Sequence, residues 1–354
     1  MIGIAARSGI ALGINLHKKN GGLDAKSGEA RSNLWWAVVR LEHLLSVMTG
    51  RVSCLGDASS SAPPPHPVPS LAYTGSSYNN EPINKPSVRI NGLLWTLYLN
   101  REQAESQRIL LKSITPSSSL YFFYMVDLSL IAHAITNGVY AMDVPHTGWD
   151  RVKGRISLYS KKMDWWASSL HSSFNFQDSE PDQLRGNKSS FKVSLALNYY
   201  SAQIVLNRPC LNRPAFGKKS GTRLSRSRFS NVSALACLRA SLAVMGLLPD
   251  QPSLTWYYET LQWWDFLHIL TQATVILLLD ISIGPVPTKP EEATVPVEST
   301  DKIFNGVKKG LSWLHCLGRT SEAAQRAFEF CNSCIRRMAT TRGLDLRDIP
   351  SLTY

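Results

Sequence analysis

Apolar residues recur at helical spacing in one segment after another, and this pattern limits the fold more than any other feature of the sequence. The clearest stripe runs through residues 29–49, where apolar side chains alternate four and three positions apart. Its members are Leu34, Val38, Leu41, Leu45 and Met48. This period is that of an amphipathic α-helix. No segment shows the sustained period-two alternation of a half-buried strand, so the sequence predicts an all-α protein.

Nearly the whole chain can be divided into segments with this helical period, and the one at 256–283 allows for an interruption. They are residues 1–16, 29–49, 92–111, 118–142, 152–170, 191–207, 230–246, 256–283, 303–317 and 321–341. Gly50 suits a C-cap of the second helix, and Ser321 followed by Glu322 suits a helix N-terminus. We therefore expect an irregular array of about nine to eleven helices.

Three segments between the helices have the composition of loops. Residues 57–86 are rich in Pro and Ser, residues 208–228 form a basic Gly/Ser loop, and residues 284–300 form a Pro/Glu linker. Repeated prolines remove backbone donors and are incompatible with a helix. We expect one helical domain over 1–354, with 57–86 and 208–228 as its two long loops. The helix at residues 1–16 has no capping residue before it, so we also expect that the front of this domain is missing.

More than half of the excess positive charge lies in one of these loops. The sequence has 38 Lys and Arg against 26 Asp and Glu, a formal net charge of +12. Residues 208–228 supply seven of these charges and contain no acid, so the helical body is close to neutral. The seven cations are Arg208, Arg213, Lys218, Lys219, Arg223, Arg226 and Arg228. Three interpretations stay open: contact with nucleic-acid phosphates, part of a nuclear-import signal, or a solvated loop.

The cysteines and the apolar stretches indicate a reduced, intracellular protein without a membrane span. Six cysteines in 354 residues are too few for a disulfide framework, and residues 1–16 lack the basic start of a secretory signal. The most apolar stretch, 266–279, is shorter than the about 20 residues that a bilayer span needs. Only Cys331 and Cys334 have C-x2-C spacing, and without a second ligand pair we expect two half-buried thiols and no metal site.

The sequence contains neither the G-x-S-x-G motif nor the H-E-x-x-H motif, which are typical of hydrolases and zinc enzymes. Three acids lie within or at the ends of apolar helices: Asp127, Asp265 and Asp280. Four histidines lie in helices beside apolar residues: His43, His133, His268 and His315. Capping and buried hydrogen bonds account for both sets, so we assign no catalytic, cofactor-binding or metal-binding residue and expect no enzyme.

Aromatic residues come in adjacent pairs, at 35–36, 165–166, 199–200, 257–258 and 263–264. Neighbouring residues on a helix point about 100° apart. One member of each pair can therefore enter the core while the other lies at a helix boundary or a cavity wall. We expect these pairs to be core anchors. The alternative is an aromatic-lined pocket for a small ligand and, with it, an enzyme on a helical scaffold.

Two consecutive segments resemble the regulatory middle-homology region of fungal zinc-cluster transcription factors. They are residues 1–17 (MIGIAARSGIALGINLH) and 29–51 (EARSNLWWAVVRLEHLLSVMTGR). In that family a helix of the type IGIAARMALALGLH precedes a charged EARRRLWW helix and a GRP turn. Here Val52 stands in place of the usual proline. Later segments that resemble the family are 117–130, 165–176, 196–209, 262–279 and 326–338.

The resemblance implies a nuclear regulator of transcription, and it covers most of the chain. In the family a six-cysteine zinc cluster that reads DNA lies N-terminal to this region, and the sequence contains no such cluster. Zinc is therefore expected only in that missing module, DNA is a partner only through it, and no DNA-contacting residue can be assigned here. The helical region itself is expected to bind protein partners, a second protomer or a small effector, and not a membrane. Direct nucleic-acid binding by residues 208–228 is the alternative function.

Overall fold

The computed structural model describes residues 1–17, 25–56, 60–68, 93–140, 148–178, 190–211, 228–261, 263–283 and 298–350. Within these ranges the chain forms eleven α-helices and no strand, so the all-α prediction of about nine to eleven helices is confirmed. In chain order they are α1 (Ile2–Ala11), α2 (Ala25–Thr49), α3 (Arg101–Ser113), α4 (Ser118–Val139), α5 (Gly148–Ser169), α6 (Ser190–Asn207), α7 (Arg228–Leu247), α8 (Leu254–Thr260), α9 (Trp263–Ile283), α10 (Thr300–Gly318) and α11 (Glu322–Arg342).

The helices belong to two compact units, Met1–Asn175 with α1–α5 and Phe176–Tyr354 with α6–α11. The expectation of one domain over the whole chain stays a prediction. Of the expected Pro/Ser-rich loop at 57–86, residues 60–68 are described and contain no helix. The rest of that loop lies outside the described residues, as do 212–227 of the basic loop and 284–297 of the Pro/Glu linker. The interruption expected within 256–283 is confirmed by the break between α8 and α9.

Glycines with positive φ end the first two helices. Gly50 has a φ of 63° and follows α2, where the Arg51 N–H bonds to the Ser46 carbonyl. This 6→1 bond is the Schellman arrangement and confirms Gly50 as a C-cap. Gly13 has the same φ, and the chain leaves the helix at Ala11. The first helix is therefore shorter than the predicted 1–16. A positive φ is incompatible with a right-handed helix, and glycine adopts it without a steric cost, so the chain turns away at Gly13.

The prediction of a continuous helix over 92–111 is wrong for its first part. Thr96–Tyr98 forms a short 3-10 turn, and α3 begins only after Asn100, whose side chain and that of Gln103 form a reciprocal capping box. The preceding segment is held by side chains from elsewhere in the unit. Gln107 bonds to both the N–H and the carbonyl of Leu94, and Lys162 Nζ donates to the Leu99 carbonyl at 2.6 Å. These bonds replace those of a helix.

The core of the first unit is built around α4, which packs on α2 and α5. Its aromatic side chains form a connected series. Trp36 meets Trp95 edge-on at 4.7 Å between ring centroids, and Trp95 stacks on Phe123 at 5.6 Å. Tyr124 meets Trp166 edge-on at 6.4 Å, and the Trp166 indole N–H donates to the Tyr124 carbonyl. Trp35, Trp36 and Trp166 thus act as core anchors, whereas the side chains at 263–264 lie outside the described residues.

The second unit is built around α9, which packs on α6, α7, α10 and α11. Two glycines one turn apart let α10 approach closely. A Cβ on Gly306 would lie 2.9 Å from Leu277 Cδ1, and a Cβ on Gly310 would lie 2.5 Å from Thr274 Oγ1. Both distances are shorter than van der Waals contact. The glycines are therefore required by the close packing of α10 on α9.

Among the described residues, three helices are long and apolar enough to cross a membrane by length and composition: Ser118–Val139, Phe229–Leu247 and Asp265–Ile283. In each of them half or more of the most apolar window is buried inside the protein. Their apolar surface is thus used in packing within the units. The absence of a membrane partner stays a prediction.

Candidate interaction surface

The regularly spaced apolar stripe of α2 faces outward. The side of α2 that is buried carries Ser32, Trp35, Trp36, Val39, Glu42 and His43. By contrast, Leu34 is 56% exposed, Leu41 36% and Leu45 39%, while Val38 and Met48 are half-buried. Both members of the pair Trp35–Trp36 enter the core, and the leucines beside them do not. Helix α2 therefore has two apolar faces, of which one is left to solvent.

The end of α1 extends this outward surface. Arg31 lies one turn before Leu34 on the same side of α2, and its guanidinium donates to the carbonyls of Leu12 and Gly13 at 3.3 and 3.0 Å. This places Leu12, which is 70% exposed, beside the start of the stripe. We call the surface of Leu12, Leu34, Val38, Leu41, Leu45 and Met48 the outer face. Contiguous exposed apolar surface of this kind is typical of contact sites.

The outer face is poor in charge. Between residues 32 and 49 of α2 the ionisable residues are Arg40, Glu42 and His43, and the last two are buried on the opposite side. Arg40 is half-buried and lies next to the stripe without being part of it. A partner would therefore remove little charge from water on binding here, which favours an apolar contact.

A buried carboxylate fixes the chain that follows α2. Glu42 accepts hydrogen bonds from the hydroxyls of Ser46 and Ser53 and from the Cys54 N–H at 2.8 Å. Burial alone would raise the pKa of Glu42, but these donors outweigh it and lower the pKa. The carboxylate thus holds residues 53 and 54 against α2, and its role is structural.

Two of the helical histidines stack between α2 and α4. The rings of His43 and His133 are 3.7 Å apart between centroids and tilted by 5°. Burial, together with the neighbouring His133, lowers the pKa of His43 to about 3, against an opposite effect of Glu42. Asn137 Nδ2 lies 2.8 Å from His133 Nε2, whereas His43 Nδ1 is buried without a hydrogen-bond partner. The expectation of satisfied histidines is therefore wrong for this nitrogen.

The three acids singled out in the sequence belong to different units, Asp127 to the first and the other two to the second. Asp127 on α4 is fully buried and accepts hydrogen bonds from the Thr96 N–H at 2.8 Å and the Thr96 hydroxyl at 2.7 Å. Burial raises its pKa to about 7 despite these bonds. Asp265 and Asp280 lie in the second unit, four turns from each other on α9. Asp265 is buried, and Asn198 Nδ2 lies 3.3 Å from it. Asp265 and Asp280 are thus too far apart on α9 to act as a carboxylate pair.

The predicted basic segment is described only at its ends. Arg208 is exposed in a 3-10 turn directly after α6, and Arg228 is the first residue of α7. The other five cations, Arg213, Lys218, Lys219, Arg223 and Arg226, lie outside the described residues. A nucleic-acid or import role for this segment stays a prediction. Over the part of the chain that the structure covers, no three His, Cys, Asp or Glu side chains group as metal ligands.

Comparisons with known proteins point to transcription. Along an alignment of 373 positions the chain is 34% identical to the transcription regulator galc of Aspergillus niger, covering 98% of this chain and 45% of that protein. It is also 34% identical over 77 residues to an uncharacterized transcriptional regulatory protein of Schizosaccharomyces pombe, covering 22% of this chain and 10% of that protein. The chain therefore spans less than half the length of the curated relatives that it matches.

No family model and no solved structure matches the chain. The similarity to two proteins named as fungal transcription regulators supports a role in the regulation of transcription at this general level.

Proposed function

We propose that this chain is the regulatory part of a nuclear fungal transcription factor and that it acts through binding a protein partner or a small effector. The observation that carries the proposal is the 34% identity to the regulator galc along 98% of the chain. The finer assignment to a zinc-cluster regulator rests on the resemblance of residues 1–17 and 29–51 to the middle-homology region. In this proposal DNA is read by a zinc cluster outside these 354 residues.

Two features of the structure suit a scaffold that presents contacts. The buried carboxylates of Glu42 and Asp127 are engaged by hydroxyl and backbone donors of their own unit. They hold irregular segments in place, which is a structural use of charge. The outer face of α1 and α2 supplies apolar surface for a partner. The proposal therefore assigns regulation to a contact surface and no chemical step to the chain.

A tethering experiment tests this function. Residues 1–354 are fused to a heterologous DNA-binding module, and the output of a reporter gene with matching sites is measured in a fungal cell. We expect the fusion to raise or lower the output relative to the module alone, which is the matched control. Equal output from the two, at equal nuclear protein levels, would contradict the proposal.

A further inference from the structure

The stripe on α2 has the spacing of a coiled-coil seam. Leu34, Val38, Leu41, Leu45 and Met48 alternate four and three positions apart, which is the a/d pattern of two heptads. A core-facing helix in a globular unit usually presents a wider apolar band than this narrow one. The narrow band here lies on the side of α2 away from the buried tryptophans. Its geometry therefore fits one further helix that lies along α2.

The side chains beside the seam leave room for such a helix. Ala37 and Leu44 flank it on the side away from the core, and both are half-buried. Ala37 is small enough for a second backbone to come near, and Leu44 adds apolar area. Two ions lie near the stripe: Arg40 lies outside the a and d positions, and Arg31 occupies the a position before Leu34, where its guanidinium donates to the carbonyls of Leu12 and Gly13. Like-charge repulsion between two such faces is limited when the helices run antiparallel, because the two Arg31 side chains then lie at opposite ends of the contact.

The stripe is complementary to itself when one copy is reversed. If two α2 helices run antiparallel, a positions meet d positions, so Leu34 faces Leu45 of the second copy and Val38 faces Leu41. Four such layers form about a twofold axis that passes between Val38 and Leu41. A surface that fits its own copy about a twofold axis is what a closed dimer requires.

The exposed area is also of the right order. With the exposed fractions of Leu12, Leu34, Leu41 and Leu45 and the half-buried residues between them, the outer face offers roughly 500 Å² per copy. A specific interface needs about 1,000 Å² in total over both partners. The outer faces of two copies together thus reach the lower limit for a specific interface.

We propose that two copies of this chain associate through antiparallel pairing of their α2 helices, with the outer face as the contact. This inference rests on the proposed function and deepens it, because it names a second copy of the chain as the partner that binds the outer face. The pairing is expected to be reversible, because the area is close to the lower limit for a specific interface.

The association state of residues 1–354 tests the pairing. We expect sedimentation equilibrium to show a monomer–dimer equilibrium. Leu41→Asp places a charge next to the twofold axis and is expected to weaken the dimer by at least about a hundredfold. The matched control is Ile109→Asp on α3, an equally apolar residue that is 64% exposed, which should leave the equilibrium unchanged. Circular dichroism checks that both variants keep their helices.

Cysteine pairing tests the direction of the helices. In a background with the exposed Cys54 replaced by Ser, a mixture of Leu34→Cys and Leu45→Cys chains should give the mixed disulfide. A Leu34→Cys chain that crosslinks to itself instead would overturn the antiparallel arrangement. A monomeric chain, or an assembly that persists in Leu41→Asp, would overturn the pairing itself. A monomer that still changes reporter output would leave the proposed function standing.

Discussion

Asp127 gives the first unit a dependence on pH that a surface carboxyl would not give. Its pKa is raised by burial from the ordinary value of 3.8 to about 7, so the folded protein holds a proton there that the unfolded chain releases. The protonated carboxyl stabilises the fold fully at pH values below 3.8, the pKa in the unfolded chain. This contribution is lost as the pH rises through about 7, the pKa in the fold. At the full shift it amounts to on the order of 4 kcal/mol.

We expect Asp127→Asn to remove this dependence. The amide keeps both contacts with Thr96, since its oxygen can accept from the Thr96 N–H and its nitrogen can donate to the hydroxyl. Urea unfolding measured from about pH 5 to pH 8 should show that the unfolding free energy of the original protein falls relative to that of the variant towards the alkaline end. Parallel curves for the two proteins would show that Asp127 is ionised in the fold.

His43 makes stability depend on pH in the opposite direction to Asp127. Its pKa is lowered from 6.5 to about 3, so the unfolded chain binds a proton between these values that the folded chain excludes. Stability is therefore lost as the pH falls below about 6.5. Because this window overlaps that of Asp127 with the opposite slope, the two effects partly cancel in the original protein.

The histidine effect is best measured in the Asp127→Asn background. There we expect unfolding free energy to fall between about pH 6.5 and pH 4, and we expect His43→Phe, which keeps a ring against His133, to flatten that fall. Ser46→Ala in the same background is the control, because it removes a donor to Glu42 and no imidazole. An acid loss that is unchanged in His43→Phe would assign it to another group.

Individual residues also mark the limit of what the sequence predicts. The period of residues 29–49 correctly predicts a helix, yet the regularly spaced leucines face outward while Trp35 and Trp36 face the core. Periodicity identifies an apolar face, but which of two such faces is buried depends on the helices that pack against it. The stack of His43 on His133 was likewise beyond prediction, because the two residues are ninety positions apart in sequence.

At the scale of elements, the packing of α10 on α9 depends on Gly310. Its Cβ would lie 2.5 Å from Thr274 Oγ1 and 3.1 Å from Met245 Cε, and Thr274 is fully buried. We expect Gly310→Ala to lower the free energy of unfolding by about 1–3 kcal/mol. The added Cβ overpacks the interface, and the cost of moving the neighbouring groups exceeds the gain in helix propensity. Chemical unfolding gives the value.

A second substitution of glycine by alanine, at Gly154, is the control for Gly310→Ala. Gly154 lies within α5, is exposed, and has no atom within 4 Å of its added Cβ. Gly154→Ala should therefore stabilise the protein by about 0.5–1 kcal/mol. Destabilisation of similar size in both variants would mean that close packing is not what Gly310 serves.

The failure of the predicted helix at 92–111 has a cause that lies at this scale too. The residues of Leu93–Asn100 are held by Gln107, Asp127 and Lys162, which belong to three different helices. Local sequence shows the capping box at Asn100 but not these distant partners. Loops whose backbone bonds are satisfied by remote side chains are therefore harder to predict than helix ends marked by Gly50 or Ser321.

For the molecule as a whole, the helical class, the number of helices and their order follow from sequence period and capping residues. The division into two units between Asn175 and Phe176 does not follow from the sequence, because the residues there resemble those of any other break between two helices. The resemblance of residues 1–17 and 29–51 to fungal regulators agrees with the similarity to galc, while the outward orientation of the leucines of α2 is seen only in the structure.

The outer face has a consequence for how such a regulator responds to its own supply. If two folded copies share it, mass action stabilises them as protein concentration rises, and the thermal midpoint rises with it. At low abundance the apolar face is open to chaperones and proteases, and the chain is removed faster. Output would then increase more steeply than gene dosage, so that halving the number of gene copies more than halves the active regulator.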